Sequence, residues 1–213
     1  METLQTLERG MHALEYISQK HGQMTVAQLA EQLGINRTIA YRITRTLSQL
    51  GYIRTNENQQ LELSSKIIQL YQCYEMTIPS NAQHVLNALS LHTQANASLV
   101  IAEGSDCVVV KTSTQHSSHL QINYQLGSRL PLGVAASGVA IAMTYPDHLD
   151  DHDEIKRART LGYAYSEGKL QAGAVGLFMP IPYRHMAIGI VQLNKINLED
   201  SLNYLKNAVK ALQ

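Results

Sequence analysis

Between positions 36 and 54 the chain carries four arginines and no acidic residue. Arg37, Arg42, Arg45 and Arg54 stand there beside Thr38 and Tyr41. An arginine fork can pair with phosphate oxygens or with O6 and N7 of guanine, and a threonine hydroxyl can donate to either. The whole chain has 17 basic and 17 acidic side chains, a formal net charge of zero. Focused positive charge on a neutral chain points to a polyanion met at one segment, not to a generally basic coat. Asn36 opens the segment, and Thr25 opens the helix before it. The candidate set for duplex DNA is Thr25, Asn36, Arg37, Thr38, Tyr41, Arg42, Arg45 and Arg54.

A second constellation lies in Ala136-Ser137-Gly138-Val139, small residues where a helix is expected to start. Unpaired N–H groups and the positive end of the helix dipole there suit a carboxylate. Ser137 adds a hydroxyl, Leu126, Leu130 and Leu132 an apolar wall, and Ser166 or Glu167 a polar lip. The same small residues serve equally to let a helix pack closely on a sheet, and both readings stand. Third, Asp147-His148-Leu149-Asp150-Asp151-His152-Asp153-Glu154 places two histidines four apart among acids. A shared helical face could hold a metal. A solvated, acid-rich helix start after Pro146 accounts for the pattern as well, and no metal or other cofactor is assigned. His116 and His119 read as loop surface residues.

No phosphate loop, C-x-x-C, H-E-x-x-H or nucleophile elbow occurs, so no enzyme is expected. No apolar run of about 18 residues exists to make a transmembrane helix. The N-terminus lacks a signal pattern, and two cysteines, Cys73 and Cys107, fit a reducing cytoplasm.

These side chains need elements to hold them. Leu4, Leu7, Met11, Leu14 and Ile17 recur at helical spacing, and His21-Gly22 ends that helix. Thr25 with Gln28 has capping-box spacing, and Val26, Leu29, Ala30 and Leu33 form the stripe of a second helix. Gly34 makes the turn. Asn36 caps a third helix with Ile39, Ala40, Ile43, Leu47 and Leu50 inward, which leaves the arginine face free for a major groove. Residues 52–54 and 61–63 form a hairpin around a polar tip. Helix, tight turn, helix and hairpin make a winged helix-turn-helix over 1–64. A linker helix spans 65–80 and could take a partner helix from a second copy. Residues 81–213 form the second domain, opening with a helix to about Thr93. Strands are expected at 98–102, 107–111, 120–124, 175–181 and 187–193, with helices at 136–144, 152–161 and 198–211. The fold class is α+β, an antiparallel sheet flanked by helices.

Three segments resemble the IclR family of bacterial transcriptional regulators: Leu7-Glu8-Arg9-Gly10, the stretch from Asn36 through Gly51-Tyr52-Ile53, and Gly127 through Ala142. The last is similar to the family's G-x-R-x-P-L-h-x-T-A-x-G-K-A signature. Gly162-Tyr163-Ala164 with Gly173 and Pro180 adds a fourth match. The resemblance implies operator binding by the N-terminal domain and a GAF-like C-terminal domain that binds an organic acid or aromatic metabolite. It also implies a homodimer or a dimer of dimers. Here Gly133 stands where the family has His, Val139 where it has Lys, only Glu167 where it has an acidic cluster, and the stretch from Ala142 to Gly162 is short. The alternative is therefore a constitutive DNA-binding regulator whose C-terminal domain serves only for oligomerisation.

Overall fold

The computed structural model describes residues 3–114 and 125–213. The expected strand at 120–124, His116 and His119 lie outside the described residues. Contacts divide the chain into two compact units, Met1–Ile78 and Pro79–Gln213.

The first unit contains α1 (Gln5–Gln19), α2 (Val26–Gln32), α3 (Arg37–Gln49), β1 (Ile53–Thr55), β2 (Leu61–Leu63) and α4 (Lys66–Glu75). Local chemistry starts the helices. Thr25 Oγ1 accepts from the Gln28 N–H at 3.3 Å while Gln28 Oε1 accepts from the Thr25 N–H at 2.9 Å, a reciprocal cap. The turn between α2 and α3 passes through Gly34 at φ +63°, a conformation cheap only for glycine. Asn36 Oδ1 then accepts from the Ile39 N–H at 2.9 Å. Ala13, Ile17, Met24, Leu29, Ile43, Leu47, Ile53 and Leu61 make the core. The hairpin is tied into it where the Leu61 N–H donates to Met24 O at 2.7 Å.

Two expectations need correction. Leu4, Leu7 and Met11 are exposed; of the expected stripe Ile17 is buried and Leu14 packs against the core, joined by Ala13. The buried positions of α1 thus lie in its C-terminal half. Leu50 is also exposed, and Thr44 takes a place on the inner face of α3. Leu50 caps the helix where the chain turns at Gly51, which swings it off the stripe. Thr44 can be buried because its hydroxyl donates to Tyr41 O at 3.1 Å. No residue of α4 is buried.

The second unit contains α5 (Ala82–Thr93), β3 (Asn96–Glu103), β4 (Asp106–Ser113), β5 (Arg129–Pro131), α6 (Ala135–Ala142), α7 (Asp153–Leu161), β6 (Ala164–Glu167), β7 (Ala174–Ile181), β8 (Met186–Leu193) and α8 (Leu198–Leu212). Its strands form one antiparallel sheet in the order β5-β4-β3-β8-β7-β6. Alternation along the strands feeds two cores. Val100, Val109, Phe178, Ala187 and Val191 pack with α6 and α7. Leu99, Leu177, Ile188 and Ile190, of opposite parity, face α5 and α8, which also pack on each other. The edge strands β5 and β6, three and four residues long, are too short for sequence patterning to mark.

Candidate functional site

Helix α3 buries Ala40, Ile43, Thr44 and Leu47. The 3.6-residue period therefore turns Arg37, Thr38, Tyr41, Arg42 and Arg45 outward, and all five are exposed, Tyr41 by 62 %. Among the described residues none of Arg37, Arg42 and Arg45 enters an ion pair. Three guanidinium forks, one hydroxyl and one phenol ring thus lie along a rigid helix, with no acid in its first turn. Such a row can follow a phosphate backbone and reach base edges in a groove about 12 Å wide.

The remaining candidates differ in kind. Thr25 and Asn36 spend their side chains on capping, so they set the starts of α2 and α3. Arg54 Nε donates to Glu62 Oε2 at 2.9 Å across the hairpin. Glu62 also accepts from Asn56 Nδ2 at 2.9 Å. That bond, then the Arg54 charge, holds the Glu62 carboxyl below the usual carboxylate range. Arg54 remains exposed but its charge is partly balanced. One supporting residue went unread: Lys66 Nζ donates to Leu50 O at 2.8 Å and lies 4.8 Å above the Tyr52 ring. It completes the C-terminus of α3, where a cation suits the dipole.

In the second unit, Ala136, Ser137 and Ser166 come together with Leu170, Ala174, Gly176, Phe178 and Val191 around a void of about 10 Å³. That is room for about one water molecule. The N–H groups expected to be free at the start of α6 are not all so: Ala136 N–H donates to Ser166 Oγ at 2.9 Å. The β6 strand brings Ser166 in as an internal cap. Ser137 is buried and hydrogen-bonded to Cys107, whose thiol burial pushes up to about 11. A Cβ on Gly138 would sit 2.7 Å from Pro131 O, so close packing demands glycine there. Leu126, Leu130 and Leu132 do not line the void; Leu126 is exposed and Leu130 lies in β5.

Val139, Ser166 and Glu167 also border a wider, open depression of about 390 Å³ with Arg157, Tyr163 and Tyr165. Lys169 and Glu154 pair across part of it at 2.8 Å. Burial, and then the Glu167 carboxylate, raises the Tyr165 phenol above its ordinary value.

The histidine and aspartate run leads into the helix expected at 152–161 but does not itself form one helical face. Helix α7 begins at Asp153, with His152 as its N-cap. His148 therefore precedes the helix, and the two histidines share no helical face. Asp147 and Asp151 instead bind Arg159, at 2.7 Å and 3.2 Å. The same guanidinium donates to Met143 O at 3.0 Å, Tyr145 O at 2.9 Å and Ala142 O at 3.1 Å. It closes the C-terminus of α6 and binds the following segment to α7.

Comparison with known proteins places this geometry. Residues 6–57 match the IclR helix-turn-helix domain. The chain is 30% identical over 138 residues to the p-hydroxybenzoate hydroxylase transcriptional activator of Acinetobacter baylyi, covering 62% of this chain and 51% of that protein. It is 21% identical over 141 residues to the transcriptional repressor IclR of Escherichia coli, covering 64% and 52%. The chain thus spans about half the length of the curated relatives it matches. An IclR homolog from Microbacterium hydrocarbonoxydans complexed with 4-hydroxybenzoate superposes with a TM-score of 0.79 at 16% identity, covering 97% of both chains. The IclR of Thermotoga maritima gives 0.77 at 18% identity, covering 99% of this chain and 98% of that one. These similarities extend the fold match over both units. Among the described residues no helix is long and apolar enough to cross a membrane.

Proposed function

We propose that the chain, whose residues 6–57 match the IclR helix-turn-helix domain, is a transcriptional regulator of that family and binds double-stranded operator DNA with α3 in the major groove. The observation that carries this reading is the outward row of Arg37, Thr38, Tyr41, Arg42 and Arg45, whose three guanidinium groups enter no ion pair among the described residues. Arg42 and Arg45 lie farthest along the helix from its cap and are assigned the principal contacts. Arg37 and the N-terminus of α3 face phosphate, and Arg54 on the hairpin meets the flanking backbone. The protein acts as a homodimer or a dimer of dimers. Exposed Ile68, Leu70 and Tyr71 on α4, with Leu4, Leu7 and Met11 on α1, supply apolar surface for a second copy. Two-fold symmetry then calls for half-sites about 34 Å apart, one turn of the duplex, or a multiple of it.

Small-molecule control is the finer part of the reading. An organic acid or aromatic metabolite would bind the second unit and shift how well two copies fit two half-sites. The named relatives favour an aromatic acid. The filled space beside α6 favours the second reading, a constitutive regulator whose C-terminal unit serves for assembly. Footprinting of the tagged protein on genomic DNA tests the DNA claim. It should protect inverted half-sites at helical spacing; binding that follows no sequence would end the proposal. Repeating the footprint with 4-hydroxybenzoate separates the gated reading from the constitutive one.

A further inference from the structure

Helix α3 ends on a turn whose carbonyls are all claimed. The Gly51 N–H donates to Ser48 O and the Tyr52 N–H to Leu47 O, both at 2.9 Å, the paired closure of a helix that ends through a glycine. The carbonyls of Leu50, Gly51 and Tyr52 lie beyond that closure, and without partners of their own they would fall to water. Each instead accepts from residues 64–66. Leu50 O accepts from Lys66 Nζ at 2.8 Å, Gly51 O from Ser64 Oγ, and Tyr52 O from the Ser64 N–H at 2.9 Å. The Lys66 ammonium also lies 4.8 Å from the centre of the Tyr52 ring, and Ser64 Oγ accepts from the Lys66 N–H at 3.4 Å. Beyond this knot α4 has little hold on its own unit. None of its residues is buried, every residue from Ile68 to Tyr74 is exposed, and among the described residues no helix or strand packs extensively on it. The direction of α4 relative to α3 is thus set at its first residues.

We propose that Ser64 and Lys66 are positioning residues for DNA binding: they fix the angle between α4 and α3, and with it the half-site separation that a pair of copies accepts. The inference rests on the reading of the chain as a DNA-binding dimer joined through α4. Ile68, Leu70 and Tyr71 are the exposed apolar side chains by which α4 would meet a second copy. With α4 seated on its mate, the knot is the pivot that carries α3. The 10 residues of α4 span about 15 Å, so a turn of about 13° at the knot displaces α3 against the far end of α4 by about 3.4 Å, one base-pair step. Loss of the knot leaves α3 itself intact, because its glycine closure and its buried face are untouched. What is lost is the angle.

The test uses the full chain and duplexes carrying the footprinted half-site. One duplex has a single copy; the others have two inverted copies at the native separation or at separations changed by one or two base pairs. Wild-type affinity should fall about 10-fold for a change of one base pair, in the range of one mismatched position. Lys66→Met should bind the single half-site within about 2-fold of wild type, as for a surface change. It should bind the native pair more weakly and lose less than about 3-fold for the same one-base-pair change, because its geometry is no longer preorganised. Ser64→Ala should behave alike. Lys66→Arg, which still offers a cation to the carbonyl and the ring, should restore the wild-type profile. A second readout needs no DNA. Spin labels on Cys73, the exposed thiol of α4, and on Glu31→Cys in α2 report the angle, while buried Cys107 stays unlabelled. Labelled chain is diluted in unlabelled chain so that distances within one copy are read. Their distribution should be narrow with Lys66 in place and broad in Lys66→Met. Where Lys66→Met lacks a folded circular-dichroism spectrum, Ser64→Ala carries both measurements. Two results would overturn the proposal. One is a folded variant whose separation profile and label distances match the wild type. The other is an equal loss of affinity for single and paired half-sites at every separation, the mark of a cap that only stabilises α3. A wild type that binds none of the duplexes defeats the DNA reading, and the label distances then still decide whether the knot holds α4.

Discussion

Arg159 is the most heavily engaged cation in the second unit, and replacing it should be expensive. Its side chain is 19 % exposed and meets Asp151, 17 % exposed, at 3.2 Å. It also donates to the carbonyls of Ala142, Met143, Tyr145 and Pro146. In Arg159→Met the exposed Tyr145 and Pro146 carbonyls and the exposed Asp147 recover water. The half-buried Ala142 and Met143 carbonyls and Asp151 do so poorly. Hydrogen bonds to charged groups contribute about 1.5–3 kcal/mol each, and groups sharing one side chain add less than fully. We therefore expect a loss of about 3 kcal/mol for Arg159→Met. Arg159→Lys keeps the charge but not the planar fork, and should lose about 1–2 kcal/mol. Urea unfolding followed by far-ultraviolet circular dichroism measures both. At roughly 2–4 °C per kcal/mol for a chain of this size, the Met variant should also melt roughly 6–12 °C lower. A Met variant within 0.5 kcal/mol of wild type, by the usual size of a neutral surface change at about that value, would refute the reasoning. Equal losses in Met and Lys would show that the fork geometry is irrelevant.

Three further outcomes follow from particular contacts. Gly189→Ala should destabilise the second unit by about 1–3 kcal/mol, because its Cβ would meet both the Phe178 ring and the Leu177 carbonyl oxygen, and only part of that loss should vanish when Phe178→Ala is combined with it; denaturation of the double variant checks the coupling. Of the two thiols, Cys73 is exposed and Cys107 is buried with its pKa raised to about 11. At mildly alkaline pH a disulfide reagent should therefore titrate one thiol quickly and the second only after unfolding. Asn36→Ala removes the acceptor for the Ile39 N–H, and should cost about 1 kcal/mol in the melting of the N-terminal unit.

The N-terminal unit was the more legible because its determinants are local. Thr25 with Gln28, Gly34, and Asn36 each act within a few residues, and the structure uses all of them where the sequence places them. Periodicity names a face of a helix, not how much of its length is covered. Leu4, Leu7 and Met11 keep the spacing of a buried stripe, but the buried positions of α1 lie in its C-terminal half. The second unit depends on long-range pairing. Nothing local in β7 marks Phe178 as the ring that borders the space beside α6; that follows from its registry with Gly189 in β8. Ser166 read as a rim residue because β6 is only four residues long, yet its edge pairing carries it to the Ala136 N–H. Asp147 and Asp151 read as solvated acids because their partner, Arg159, lies on the next helix. An arginine in the last turn of a helix that follows an acidic stretch is the signal that was available.

The account rests most heavily on the outward face of α3. The direct measurement is a salt-dependent titration of operator DNA with the wild-type chain and with Arg42→Ala/Arg45→Ala. Both side chains are exposed and enter no ion pair among the described residues, so the double variant should fold and melt like the wild type. It should bind roughly 100-fold more weakly, with each good contact contributing about 1–3 kcal/mol. If both arginines meet phosphate, the slope of log affinity against log salt should flatten by about two units. A folded variant with unchanged affinity and an unchanged slope would contradict the placement of this helix on DNA.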